Sequence, residues 1–245
     1  MSSGISIIIP TLNEAGYLER TLRNLSILNP LPGEIVVVDG GSSDDTVKIA
    51  RSAGVDVLIS NVPGRSLQMN LGAKAATQDI LCFVHADTIV PDDLVAIVEK
   101  TLADPTVACG GFISLMRGIE KTRWSFTLNN YLKTYYAPLL FRPHLFFFRG
   151  LRVLFGDQVI FCRRKDFWDC DGFDPNLPIL EDASLCLKLL EYGRIRLVDR
   201  VVESSDRRVA KLGFFKGHAM YFYVGFLWGF GASATYLKKF YDDIR

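Results

Sequence analysis

Three short polar groups stand where an apolar stretch stops or a helix opens, and each carries carboxylate chemistry. The first is His85-Ala86-Asp87, which ends the run Leu81-Cys82-Phe83-Val84. Such a run reads as a fully buried strand. Polar side chains just past the carboxyl end of a buried parallel strand stand where open α/β sheets keep their ligands. Asp87 is therefore a candidate to hold a divalent cation on a nucleotide diphosphate. The second group is Asp39, at the end of an apolar stretch over residues 35–38 and followed by Gly40-Gly41. The third is Glu181-Asp182, which opens a helix.

Each group also has a plain structural reading. Asp87 would serve to cap the helix that starts near Pro91. Asp39 suits a turn before two glycines. A carboxylate in the first turn of a helix is common for capping alone, and the dipole there should depress the pKa of Asp182. Arg65 at a helix start and the pair Arg207-Arg208 read locally as solvated surface.

The elements that must position these groups follow a regular alternation. Residues 5–9 form a short β-branched strand closed by Pro10. Asn13 is placed to cap the next helix, with Leu12 and Tyr17 as a hydrophobic staple. Leu18, Leu22, Leu25 and Leu28 fall on one face of that helix. Strands over 35–38, 57–59 and 80–84 alternate with helices, including one over 65–76, and Leu94, Ile97, Val98 and Leu102 line the helix after Asp87. Strands alternating with helices of about ten residues read as βαβ units on a parallel sheet. A strand over 107–115 follows, and residues 119–136 look helical. Residues 159–162 form a strand, a helix follows Glu181-Asp182, and Leu197-Val198 and Val201-Val202 make two short strands.

The composition narrows the partners. The chain has 245 residues, 49% hydrophobic and 22% charged, with a formal net charge of +1. No broad electropositive field is implied, which argues against nucleic acid as a partner. The five cysteines never fall in a C-x-x-C pair. They fit a reducing cytosol, with neither a disulfide framework nor a zinc site. The N-terminal residues lack the basic and apolar regions of a signal peptide. The first corner, Pro10-Thr11-Leu12-Asn13-Glu14, carries neither G-x-G-x-x-G nor a P-loop, so neither a dinucleotide-binding domain nor a P-loop nucleotidase is indicated.

Taken in order, Pro10-Thr11-Leu12-Asn13-Glu14, Val38-Asp39-Gly40-Gly41-Ser42, His85-Ala86-Asp87 and Glu181-Asp182 resemble the family 2 glycosyltransferases of GT-A fold. More narrowly, Gly64-Arg65, Gln68-Met69-Asn70, His85-Ala86-Asp87-Thr88, Gly156-Asp157-Gln158 and Arg207-Arg208 resemble a bacterial subgroup associated with arsenosugar biosynthesis. The resemblance covers residues 5–210. It implies an open, mostly parallel sheet flanked by helices over 1–210, with an aromatic helical extension over 211–245.

The same resemblance implies roles. The donor, a nucleotide sugar with UDP as the expected carrier, would meet Pro10, Thr11, Glu14, Asp39, Arg65, Gln68, Asn70, Ala86 and Arg208. Asp87 would bind Mg2+ or Mn2+. His85 stands where the family commonly has an acidic residue, and a neutral imidazole there suits contact with ribose or water better than ligation. Asp182 would take the proton from the acceptor hydroxyl, with Glu181 as its competitor and Asp157 and Gln158 on the acceptor side. Either Arg207 or Arg208 would add positive charge near the leaving diphosphate. The implied activity is an inverting, metal-dependent transfer. A polyprenyl-phosphate glycosyltransferase and a non-catalytic nucleotide-sugar binder or membrane adaptor are the alternatives.

Two aromatic stretches stand outside these motifs. Residues 141–152 mix phenylalanine with arginine, which suits an interface. Residues 214–236 hold glycines and many aromatic side chains, with Lys216 as their single charged residue. Three arrangements fit the second stretch: helices packed on the sheet domain, a helix lying on a membrane surface, or a membrane span. A lipid-linked or apolar acceptor would account for both stretches, and would put a cytoplasmic enzyme at the inner face of the cell membrane.

Overall fold

The computed structural model describes residues 4–118 and 121–240. The chain runs β1 (Ile5–Thr11), α1 (Leu18–Ser26), β2 (Glu34–Asp39), α2 (Thr46–Ser52), β3 (Asp56–Ile59), α3 (Arg65–Ala75), β4 (Ile80–Phe83), β5 (Thr88–Ile89), α4 (Leu94–Leu102) and β6 (Val107–Arg117). It continues through α5 (Trp124–Phe141), β7 (Phe161–Arg163), α6 (Arg164–Asp169), α7 (Glu181–Leu189), β8 (Arg194–Ser205), α8 (Arg207–Leu212), α9 (Phe214–Gly229) and α10 (Ala234–Lys238). The helix expected over 119–136 is α5, and the first two residues of that range lie outside the described ones.

One sheet of order β3-β2-β1-β4-β7-β6-β8-β5 organises the protein. Its first half is parallel, as the βαβ alternation requires. The second half is mixed: β7 lies antiparallel between β4 and β6, β8 is parallel to β6, and β5 is antiparallel to β8. The two short strands expected around residues 197–202 are one strand, β8, carried along β6 across two register irregularities.

Both faces of the sheet are covered, which is why β1 and β4 read as continuous apolar runs. Ile7 and Ile9 pack with Leu18, Leu22 and Leu25 of α1 and with α4. Ile8, Val36 and Val38 face the opposite layer, with Met69 and Ala73 of α3 and Leu185 and Leu189 of α7. Gly72 lets α3 approach this closely, because a Cβ there would stand 2.5 Å from Ile8 Cγ2.

Asn13 does not cap α1. Its backbone has φ +55 and its side-chain oxygen accepts from the Ser43 amide at 2.9 Å, so it ties the first corner to the second. Tyr17 occupies the cap position, with no side-chain bond.

The aromatic tail forms α9 and α10, packed on the rest of the chain. Val224, Ala234 and Leu237 are buried against Ile179, with Leu177 and Leu180 beside them. Phe126 of α5 meets His218 at 3.7 Å between ring centres, the planes tilted by 39°. Among the described residues, no helix is long and apolar enough to cross a membrane.

Candidate active site

The corners beyond the parallel strands open into one large cavity, of about 850 Å³, walled on its far side by α5 and α9. Its polar end is built by β1, β4 and the end of β8. Pro10, Thr11, Glu14, Arg65, Gln68, His85, Ala86, Asp87, Arg207 and Arg208 line it, and Asp157, Glu181 and Asp182 stand on the same wall.

The Asp87 corner is held from two sides. Thr21 of α1 donates to the carbonyl of Ala86 at 2.7 Å. Thr88 pairs with Ser204 across β5 and β8, which brings Asp87 beside the chain leaving β8. Arg207 lies there, anchored because its neighbour Asp206 accepts from Arg123 Nε at 2.6 Å. The Arg207 guanidinium donates to both oxygens of Glu14, at 2.7 and 2.6 Å, and its Nε stands 3.3 Å from Asp87 Oδ2. Burial raises the pKa of Asp87, opposed by Arg207, with Glu14 raising it further.

His85 is held neutral: burial, then the guanidinium groups of Arg65, Arg207 and Arg208, push its pKa well below the ordinary value. The backbone of Gly156 makes room for it. A Cβ on Gly156 would stand 2.5 Å from His85 Nε2 and 2.9 Å from Asp182 Oδ2.

Asp182 sits in the first turn of α7, and the Gly156 amide donates to its carboxylate. The helix dipole does not decide its pKa. Burial and the neighbouring Glu181 carboxylate raise it to about 8, against the pull of Arg65. Glu181 is itself engaged by Arg65 at 3.2 Å. Leu180, the residue before α7, holds φ +65, a left-handed conformation that β- and γ-branched residues adopt rarely and that is concentrated at functional sites.

Several expected ligand contacts are spent on the protein itself. Asp39 lies behind the cavity wall, accepting from the amides of Gly41 and Ser42 and from the hydroxyls of Thr11 and Ser42. Gln68 reaches the wall, but its amide nitrogen is given to the carbonyls of Thr11 and Val38 at 2.7 and 2.8 Å. Asn70 pairs through both ends of its amide with the backbone of Phe173. Gln158 is fully buried between the Phe155 amide and the Thr134 hydroxyl. These four brace the corners.

Of the pair Arg207-Arg208, Arg207 is the partner of the acidic corner, a choice that the β5–β8 pairing makes. One residue escaped the sequence reading. Lys133 projects from α5 into the cavity, its ammonium 3.6 Å from the ring centre of Phe155. A lone lysine in the largely apolar α5 was its one visible signal.

The corner fits a cation brought in on a ligand. Among the described residues, no cluster of three or more potential metal ligands occurs. Hard cations such as Mg2+ use oxygen donors and often take only one or two protein carboxylates, leaving the rest of the shell to phosphates and water. A half-buried Asp87 whose nearest counter-charge, Arg207, is shared with Glu14 suits that role.

The sequence pattern of glycosyl transferase family 2 matches residues 6–168. The chain belongs to this family. It is 28% identical over 234 residues to the pre-mycofactocin glycosyltransferase of Mycobacterium tuberculosis, covering 88% of this chain and 46% of that protein. It is 33% identical over 128 residues to the glucosyl-3-phosphoglycerate synthase of Mycolicibacterium smegmatis, covering 48% of this chain and 40% of that one. The chain thus spans less than half the length of either relative. The glucosyl-3-phosphoglycerate synthase of M. tuberculosis, solved with Mn2+, uridine diphosphate and phosphoglyceric acid, shares the fold with a TM-score of 0.66 and 20% identity, over 94% of this chain and 79% of that one. A mannosyltransferase from Pyrobaculum calidifontis, solved with GDP-mannose and Mn2+, superposes with a TM-score of 0.62 and 22% identity, over 83% of this chain and 57% of that one. The GT-A expectation for the fold holds.

Proposed function

We propose that this family 2 member is an inverting, metal-dependent glycosyltransferase that moves a sugar from a nucleotide-sugar donor, with a UDP-sugar as the donor, to an acceptor hydroxyl. The observation that carries this reading is that one cavity gathers Asp87 with Glu14 and Arg207 and, on the same wall, the buried Asp182. Asp87 would hold Mg2+ or Mn2+, which when bound supplies neutralising charge to the leaving diphosphate.

The rest of the step belongs to the chain. Pro10, Thr11, Ala86, Arg65 and Arg208 border the donor, and the braces Asp39, Gln68 and Asn70 fix the corners that carry them. Asp182 accepts the acceptor's hydroxyl proton as the new bond to the sugar's anomeric carbon forms and the bond to the diphosphate breaks. With its pKa raised to about 8, Asp182 serves as the base in its ionised form, so transfer should rise with pH towards that value. Glu181, tied to Arg65, raises the Asp182 pKa and links it to the donor side. Positioning and electrostatics supply the remaining rate enhancement.

In this reading residues 1–210 are the transferase domain and 211–245 the aromatic C-terminal segment, whose last five residues lie outside the described ones and whose described part covers the domain. The Gln68 and Asn70 braces give the arsenosugar-associated subgroup motif a structural purpose, which supports placing the chain there. The buried, unpaired cysteines support a reducing, cytoplasmic setting. Exposed Phe147, Phe148, Phe215 and Phe230 support peripheral contact with the inner membrane face.

Turnover tests the proposal. UDP-glucose and Mn2+ should yield free uridine diphosphate in the presence of acceptor, and Asp182→Asn should slow this by about 10²–10⁴-fold. If Asp182→Asn left most activity, a phosphate acceptor would replace the hydroxyl. Nucleotide binding without any turnover would leave a binding protein.

A further inference from the structure

The cavity runs past the polar corner into an aromatic end, and a lysine lines that end. Its volume of about 850 Å³ lies near the top of the usual range for ligand sites. Beyond Asp157 the walls are Phe126, Tyr136, Phe141, Tyr221, Phe226 and Trp228. Lys133 stands between these rings and the Gly156–Asp182 contact. Its ammonium lies over the ring of Phe155, the residue before Gly156, at 3.6 Å, and 5.6 Å from the ring centre of Tyr221.

The ammonium faces the rings of Phe155 and Tyr221. Asp157, the nearest acidic group on that wall, is held by Asn130 Nδ2 at 2.6 Å, one turn before Lys133 on the same face of α5. Among the described residues, no carboxylate lies within ion-pair distance of Lys133. Burial lowers its pKa to about 8, opposed by the more distant Asp157. A half-buried cation against rings gains from a charged or hydrogen-bonding partner, which ring faces replace only in part. An aromatic wall of this extent is likewise built to cover an apolar body.

We propose that this half of the cavity is the acceptor site, and that it takes a hydroxyl-bearing molecule with an apolar body and one anionic group, paired to Lys133. The assignment rests on the transferase reading for its hydroxyl and on Lys133 and the aromatic wall for the rest. Lys133 is then a specificity-determining residue, and Asp182 meets the hydroxyl once the anion is anchored. A carboxylate and a phosphate both satisfy a lysine, which acts as a point charge.

The test is binding of fluorescent hydroxynaphthoate against its neutral amide, with hydroxynaphthyl phosphate as a third arm. The wild-type protein should bind at least one of the anions about tenfold more tightly than the amide. Lys133→Met, which keeps the apolar stem, should erase that preference while leaving amide binding in place, and Lys133→Arg should keep it. Stabilisation by uridine diphosphate with Mn2+, measured on the same proteins, should be unchanged in Lys133→Met. Equal binding of acid, phosphate and amide to the wild type, or a preference that survives Lys133→Met, would overturn the proposal. An anion preference without any nucleotide binding would sink the transferase reading and leave the anion site standing.

Discussion

Arg207 places its Nε 3.3 Å from Asp87 Oδ2 while its two terminal nitrogens hold both oxygens of Glu14. One guanidinium thus balances two acidic side chains, each largely withdrawn from water. A divalent cation on Asp87 would relieve that shared load and free Arg207 to face a diphosphate.

Removing the arginine should therefore expose the debt. Arg207→Met is expected to destabilise the unliganded protein by about 2 kcal/mol, since it leaves two carboxylates facing each other unpaired. Mn2+ alone should then raise the melting temperature of the variant more than that of the wild type. Equal shifts in the two proteins would separate Arg207 from the metal corner.

Asp182 carries a stability cost with a definite sign. Its carboxyl stays protonated in the folded protein up to about pH 8, whereas the unfolded chain ionises near the ordinary value of about 4. Between those two values the folded state binds the extra proton, so this group's contribution to stability falls as pH rises. Asp182→Asn should melt several degrees above the wild type at about pH 8 and together with it near pH 4. A variant that melts at or below the wild type at the higher pH would contradict the burial of an acid there.

Gly156 is the space that His85 and Asp182 share. Gly156→Ala would put a Cβ 2.5 Å from His85 Nε2 and 2.9 Å from Asp182 Oδ2, so one of the two must move. Transfer should fall by about a hundredfold, since small misplacements of catalytic groups carry such costs. Stabilisation by nucleotide should persist. Full activity would mean that Asp182 has more freedom than the packing shows.

The tail holds the base from behind. Leu237 is fully buried and packs with Ile179 on the turn that leads to Leu180 and Asp182. Leu237→Ala should cost about 2–5 kcal/mol in denaturant melts, and should lower kcat while leaving nucleotide affinity unchanged. Loss of nucleotide affinity instead would place the tail's influence at the donor end.

The sequence reading reached the parallel half through local signals. Apart from Ser6, residues 5–9, 35–38 and 80–84 are apolar because both sheet faces are covered, and their ends name the corners. Pairings that span many residues left no such mark. The antiparallel seat of β7 between β4 and β6 depends on contacts some eighty residues apart in the chain, between Ile80 and Arg163. The β5–β8 pair that selects Arg207 is of the same kind. Asp39 and Asn13 were legible as polar corner residues, but which atoms each one satisfies is set across corners, where Asn13 meets Ser42 and Ser43 and Asp39 meets Thr11. The pKa of Asp182 followed neither the helix dipole nor its sequence neighbours alone, because burial is a tertiary quantity. Lys133 was hidden for the converse reason: one lysine on a helix ordinarily points to solvent.

The most direct measurement is a thermal-shift series with UDP, GDP, CDP and dTDP, each with and without Mn2+, on the wild type and on Asp87→Ala. At least one nucleoside diphosphate with Mn2+ should stabilise the wild type by about 3 kcal/mol at a hundredfold excess over its Kd. Asp87→Ala should lose the part of that gain that depends on Mn2+. If no nucleotide stabilises the wild type, or if Asp87→Ala keeps the full Mn2+ dependence, Asp87 does not hold a metal on a nucleotide diphosphate.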